Sequence, residues 1–248
     1  MDASASSSGH KDDAGNGFSL PPSLGHARIT TLPQTAYYIP DFISEEEERM
    51  ILDKISSAPK PRWKQLTKRR LQTWPSDLVN NKLLDAPLPP WLETPVVSRL
   101  LSLPIQDSES GHIFAQSPHK KPNHVLINEY PPGIGIMPHK LSTRQLAVPL
   151  LCKEDGALDP EPAWRILQEP RSLLITTGQL YTDYLHGIAD IEEDTDLTAD
   201  TVANWDLLRD ADAYASGRNI RQTRTSLTYR DVIQVSKVAN KLGMFLKR

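Results

Sequence analysis

A single cysteine, Cys152, stands among the 248 residues, which excludes an internal disulfide and any cysteine-built zinc cluster. The chain is therefore expected in a reducing compartment. No window approaches the roughly 18 apolar residues of a membrane span, and the N-terminus lacks the apolar core of a signal peptide. Neither a membrane partner nor export is expected. Glycine is scarce beside proline, 12 against 21, which forecasts irregular connections and few long helices. A strong charge of either sign is also missing. At a net charge of −3, any nucleic-acid contact must come from a local basic patch and not from the average field. With 38% hydrophobic and 24% charged residues, the length suits one globular domain with a sizeable core, expected as a monomer.

Residues 1–32 are rich in Ser, Gly, Asp and Pro with little apolar periodicity, so a disordered N-terminal arm is expected there and a folded domain over 35–248. The run Thr35 to Ile43 reads as a β-like aromatic entry that places Tyr38, Phe42 and Ile43 against a core. Ser44 then begins a helix, with Glu47 as its capping-box partner and Met50, Ile51 and Ile55 as the buried stripe before Ala58-Pro59 ends it. A second helix is expected at Thr94-Pro95, with Val96, Val97, Leu100 and Leu101 as its apolar face. Asn123 to Tyr130, Arg171 to Thr177, Tyr181 to His186 and Arg224 to Val235 read as strands. Nine acidic residues against one basic residue between Asp190 and Asp212 read as a solvated insertion between strands.

Three stretches carry chemistry. The first is K-P-R-W-K-Q-L-T-K-R-R-L-Q-T-W from Lys60 to Trp74, where Arg62, Lys68, Arg69 and Arg70 alternate with Trp63 and Trp74. Cations neutralise phosphates and indoles stack on bases, so this patch is a candidate nucleic-acid edge; equally, the tryptophans of a solvated strand would simply pack inward. The second is N-E-Y-P-P-G-I-G-I-M-P-H-K-L from Asn128 to Leu141, in which two prolines and a glycine stop a strand and deliver His139 on a turn. The third is R-T-S-L-T-Y-R from Arg224 to Arg230. Its period of two puts Arg224, Ser226, Thr228 and Arg230 on one face, as it does Asn128 and Tyr130 in the earlier strand. Were that face enclosed, the guanidinium groups would need anionic partners, and a carboxylate ligand is the simplest one.

With these residues assembled, the chain resembles the AlkB family of iron(II)- and 2-oxoglutarate-dependent dioxygenases, and within it the AlkB homolog six subgroup. The likeness runs from about Tyr37 to Arg230 and rests on Y-Y-I-P-D-F-I-S-E-E-E-E, A-P-K-P-R-W, R-R-L-Q-T-W, N-H-V-L-I-N-E-Y, P-G-I-G-I-M-P-H, E-P-R-S-L-L, Y-L-H-G-I and R-T-S-L-T-Y-R. It implies a mainly β fold with supporting helices, a double-stranded β-helix or jelly roll. It implies that His139 and His186 are ligands of Fe(II), and that Arg224 anchors the distal carboxylate of 2-oxoglutarate. Asn128, Tyr130, Ser226 and Arg230 would complete that pocket, and Arg62, Trp63, Lys68, Arg69, Arg70 and Trp74 would fall in the substrate lid. The implied reaction consumes dioxygen and 2-oxoglutarate and oxidatively dealkylates N-alkylated nucleic acid or protein, in the nucleus or the cytoplasm.

The sequence departs from the family at one place. The family's His-x-Asp becomes His139-Lys140-Leu141, and leucine cannot bind a cation. The poorly periodic stretch after it leaves the jelly roll incomplete around 140–152, short by roughly one to two dozen residues at ordinary strand lengths. Intact flanks around a local replacement fit an altered splice product or a misplaced exon boundary. The expectation is a dioxygenase scaffold impaired in iron binding. The alternative is a non-catalytic nucleic-acid-binding or regulatory protein on the same fold.

Overall fold

The computed structural model describes residues 19–32, 36–108, 111–139, 151–153 and 162–236. Along these the chain forms β1 (Ala36–Ile39), α1 (Glu45–Ser56), β2 (Lys64–Gln65), β3 (Arg70–Trp74), β4 (Leu83–Leu84), α2 (Pro90–Leu92), α3 (Ser98–Ser102), β5 (His124–Tyr130), β6 (Ile136–His139), β7 (Leu151–Lys153), β8 (Leu173–Thr176), α4 (Gln179–Thr182), β9 (Tyr184–Ile188), β10 (Glu193–Asp194), β11 (Asn219–Ile220), β12 (Arg224–Arg230) and β13 (Val235–Ser236). The architecture is mainly β with few helices. The largest sheet runs β12-β5-β3-β2, a second runs β6-β9-β7, and β1 pairs antiparallel with β8.

Helix α1 starts where its sequence dictates. The Ser44 side chain accepts from the Glu47 amide and the Glu47 carboxylate accepts from the Ser44 amide, closing a capping box that contributes about 1 kcal/mol. Glu47 also holds Arg99 of α3 through two bonds of 2.6 Å, which ties the helices together. Ile51 and Ile55, four residues apart, point inward. Met50 does not: it is exposed, because a residue beside Ile51 is turned about 100° around the helix from it.

The main core lies between these helices and one face of the large sheet. Val125 and Ile127 of β5 and Tyr229 of β12 meet Ile51, Ile55, Leu92, Val97 and Leu100 there. Strand β1 is buried along its whole length because it has a core on each side. Tyr37 and Ile39 join the main core, while Ala36 and Tyr38 join a second one with Ile29, Leu32, Leu174 and Leu180.

Three expectations are corrected and one holds. The expected arm is ordered from Ser19 onward, because Leu24, Ala27, Ile29 and Leu32 fill the two cores despite their irregular spacing; residues 1–18 lie outside the described residues. The stretch from Tyr181 to His186 begins as the helical turn α4, and its strand starts at Tyr184 and continues through Gly187 to Ile188. The second helix begins beyond Thr94 as expected, since the extended backbone of Thr94 (φ −113°, ψ 127°) is that of a residue just ahead of a helix, and Pro95, Val96, Val97 and Leu100 are buried. The acidic stretch is not simply solvated. Leu197, Val202 and Asn204 are buried, and Glu193 and Asp194 are neutralised by Arg218 and Arg221.

Candidate functional site

Strands β5 and β12 pair antiparallel over seven residues, from Arg224 opposite Tyr130 to Arg230 opposite His124. Alternation sends Val125, Ile127 and Tyr229 into the core, so the other face carries His124, Asn128 and Tyr130 beside Arg224, Ser226, Thr228 and Arg230. That face is enclosed. Asn128, Tyr130, Thr228 and Arg230 are buried, and Arg224 and Ser226 are only partly exposed.

At one end of the face the Arg224 guanidinium donates to the Gln168 side-chain carbonyl at 2.6 Å and lies 5.6 Å from the Tyr130 ring centre. Arg69, which immediately precedes β3, lies 5.7 Å from the same ring and donates to the Asn128 side-chain oxygen at 3.3 Å. No carboxylate pairs with either arginine among the described residues. Desolvation pulls the Arg224 guanidinium below its ordinary range, with Tyr130 opposing and Arg221 reinforcing the shift. Burial raises the Tyr130 hydroxyl while the Arg224 and Arg69 charges hold it back. Partly buried cations without acids favour an anionic ligand.

Arg230 stands at the other end, six residues along β12 or about 20 Å of strand. Its Nε donates to Nδ1 of the fully buried His124 at 2.9 Å, so His124 accepts there as a neutral imidazole. Burial, with Arg230 adding to it, pushes His124 down to about 4.

The two predicted metal ligands meet in the second sheet, where β6 and β9 put His139 directly opposite His186. Opposed residues of an antiparallel pair project to the same side, so the two imidazoles share a face. His186 is buried and neither ring nitrogen has a hydrogen-bond partner among the described residues. Burial and then the His139 ring push it down to about 4, leaving a neutral imidazole with a free lone pair. His139 is exposed and places Nδ1 2.9 Å from the Met137 carbonyl, which assigns the proton to Nδ1 and leaves Nε2 as the donor to a metal. Two glycines permit the approach: a Cβ on Gly135 would lie 2.0 Å from the Ile188 carbonyl, and one on Gly187 would lie 3.0 Å from Pro138.

The unpartnered His186 imidazole and the free Nε2 of His139 fit two positions of an iron site. The third does not follow from the sequence: Leu141 offers no donor and lies outside the described residues, as do Lys140 and Asp155, and Asp183 is exposed. No group of three His, Cys, Asp or Glu side chains capable of holding a metal occurs among the described residues. Among the described residues, the donors brought together for a metal are these two imidazoles.

The basic stretch divides by strand alternation. Arg70 turns away from the enclosed face, forms a bidentate pair with Glu129 at 2.6 and 2.9 Å and stacks 4.0 Å over Trp63. Arg62 lies 4.2 Å over Trp74 and donates to the Pro75 carbonyl. Both indoles pack against the main core. Lys68 pairs with Asp190, which also accepts from the Gly135 amide at 2.7 Å, so this turn is fastened to the segment leading to His139. Sequence reasoning missed Gln168, His124 and Asp190, because each acts through a partner between 55 and 122 residues away.

No protein-family model matches the chain. Among curated proteins, "Probable RNA/DNA demethylase ALKBH6" of Danio rerio is 35% identical over 235 residues, covering 87% of this chain and 93% of that protein. Among solved structures, the one titled "The structure of OsALKBH1" covers 81% of this chain and 99% of its own, with 14% identity and a TM-score of 0.48. No helix among the described residues is long and apolar enough to cross a membrane.

Proposed function

Because the chain belongs to the AlkB family, we propose that it is a dioxygenase scaffold of that family which binds 2-oxoglutarate and N-alkylated nucleic acid but is impaired in iron binding. The β12-β5-β3-β2 and β6-β9-β7 sheets are read as walls of its jelly roll. Asn128, Tyr130, Arg224 and Ser226 would hold the co-substrate, with Arg224 and the Tyr130 ring orienting its distal carboxylate and Arg230 bounding the far end of the face. His139 and His186 would be the two remaining iron ligands. In a complete site of this type the metal supplies oxygen activation for C–H oxidation. The donor set here stops at two imidazoles, so no turnover is assigned to this chain.

One observation carries the reading. The enclosed face holds Arg224 and Arg69 against Tyr130 with no acid among the described residues to neutralise them, which suits a dicarboxylate. The incomplete donor set favours a second reading, a non-catalytic nucleic-acid binder on the same fold. Tryptophan-fluorescence titration with 2-oxoglutarate, and anisotropy with an N-methylated single-stranded oligonucleotide, test the proposal. Binding of both ligands, with 2-oxoglutarate binding lost in Arg224→Gln, is expected; oligonucleotide binding without any 2-oxoglutarate binding would leave the second reading alone.

A further inference from the structure

Three cations follow one another in the turn before β3, and they meet different fates. Lys68 is neutralised by Asp190 and Arg70 by Glu129. Arg69 has no carboxylate partner among the described residues. The reason is register. Because β3 pairs with β5 as Arg70 opposite Glu129 and Leu71 opposite Asn128, the next pair along places Arg69 beside Tyr130. On the other side of Tyr130, β12 places Arg224.

Arg69, Tyr130 and Arg224 thus form one row across three adjacent strands, on the enclosed face. The guanidinium carbons lie 5.7 and 5.6 Å from the central ring. Neighbouring strands are about 4.8 Å apart, so the two backbones stand about 10 Å from each other and their side chains converge over one aromatic ring. Two like charges held that close in a partly desolvated row repel, and desolvation already holds the Arg224 guanidinium below its ordinary range. The nearby Arg221, which Asp194 holds at 2.6 and 3.0 Å, adds to the same positive field. What the row lacks is an anion between its ends.

We propose that Arg69 is a second anchor for the distal carboxylate of 2-oxoglutarate, acting opposite Arg224 across Tyr130, and not a contact to the nucleic acid. This rests on the co-substrate reading above and adds a residue to it. Strand alternation separates the adjacent arginines into two jobs: Arg70 braces the outer face of the hairpin, and Arg69 closes the co-substrate pocket from the hairpin's turn. A carboxylate held by two guanidinium groups also makes the pocket selective. Five-carbon dicarboxylates would be strongly preferred over a 2-oxo acid that has no distal carboxylate, such as 2-oxobutyrate.

The test is calorimetric titration of the full chain with 2-oxoglutarate, glutarate and 2-oxobutyrate. Glutarate reports the distal anchor without a keto acid that chelates metal. Loss of one charge-assisted contact corresponds to about a ten-fold weakening. Arg69→Gln and Arg224→Gln should each weaken 2-oxoglutarate and glutarate by about that factor or more, Arg69→Lys should recover part of it, and Arg70→Gln should change it less than about two-fold. Affinity for an oligonucleotide measured without co-substrate should be the same in Arg69→Gln as in the unaltered chain. If Arg224→Gln weakens dicarboxylate binding and Arg69→Gln does not, the proposal is overturned while the co-substrate reading stands. Failure of the unaltered chain to bind any dicarboxylate overturns both. Loss of oligonucleotide affinity in Arg69→Gln with unchanged dicarboxylate binding returns Arg69 to the nucleic-acid surface and overturns it as well.

Discussion

His139 and His186 stand directly opposite each other across the β6–β9 pair, one exposed and one buried with both ring nitrogens unpartnered among the described residues. A buried imidazole of that kind is a cost to the fold that only a ligand relieves. His186→Leu should therefore stabilise the metal-free protein by about 1 kcal/mol in urea denaturation, even though it removes a candidate ligand. The same substitution should abolish Co(II) binding followed by visible absorption. A destabilised His186→Leu protein would mean that the ring has a partner that matters more than its desolvation.

His124 makes stability depend on pH. Its folded value is pushed down to about 4 from an ordinary 6.5, so the unfolded chain binds the proton first. The contribution is fully present above about pH 6.5 and is lost as pH falls toward 4, amounting to about 3 kcal/mol. His124→Gln keeps an acceptor for Arg230 but has no proton to take up. The slope of urea stability between pH 7 and 4.5 should be shallower in that variant.

Gly135 and Gly178 should respond very differently to alanine. At Gly135 the added carbon would collide with the Ile188 and Ala189 carbonyls at 2.0 and 2.7 Å, and backbone must move to admit it. A carbon added at Gly178 would meet nothing within 4 Å, and only the φ of +57° there opposes a side chain. Gly178→Ala should cost about 1 kcal/mol. Gly135→Ala should cost several times more and displace the segment that carries His139, visible as a lower urea midpoint and altered metal binding.

The basic stretch should bind nucleic acid less strongly than its composition suggests. Of the cations Lys60, Arg62, Lys64, Lys68, Arg69 and Arg70, three already hold Asp77, Asp190 and Glu129. With Arg69 assigned to the co-substrate pocket, Lys60 and Arg62 remain for phosphates, so the log–log salt dependence of single-strand binding should have a slope of about −1.4. Arg62→Gln should reduce that slope. A slope near −4 would mean that nucleic acid displaces the internal carboxylates.

Local rules made part of this legible. The Ser44–Glu47 capping box and the alternation of Asn128 with Tyr130 and of Arg224 with Ser226 depend on neighbours in sequence, and they could be read directly. Register is not local. The row from Arg69 through Tyr130 to Arg224, the Arg230–His124 pair and the Gln168 bond appear only when β3, β5 and β12 are laid side by side. The inward packing of Trp63 and Trp74 was left open by the sequence, because indoles interleaved with charges suit a stacking surface and a strand with one buried face equally. Burial of Leu24, Ala27, Ile29 and Leu32 was missed for another reason: irregular segments fill core gaps without a period to betray them. Leu141, two positions after His139, is plain in the sequence and offers a metal no donor.

The central claim is that this chain keeps the family's pocket and loses its iron. Iron analysis of protein reconstituted anaerobically with Fe(II), in the same samples used to follow succinate release from 2-oxoglutarate, tests it directly. The expected result is iron well below one per chain and no enzyme-dependent succinate. One tightly bound iron per chain with sustained succinate release would contradict the account.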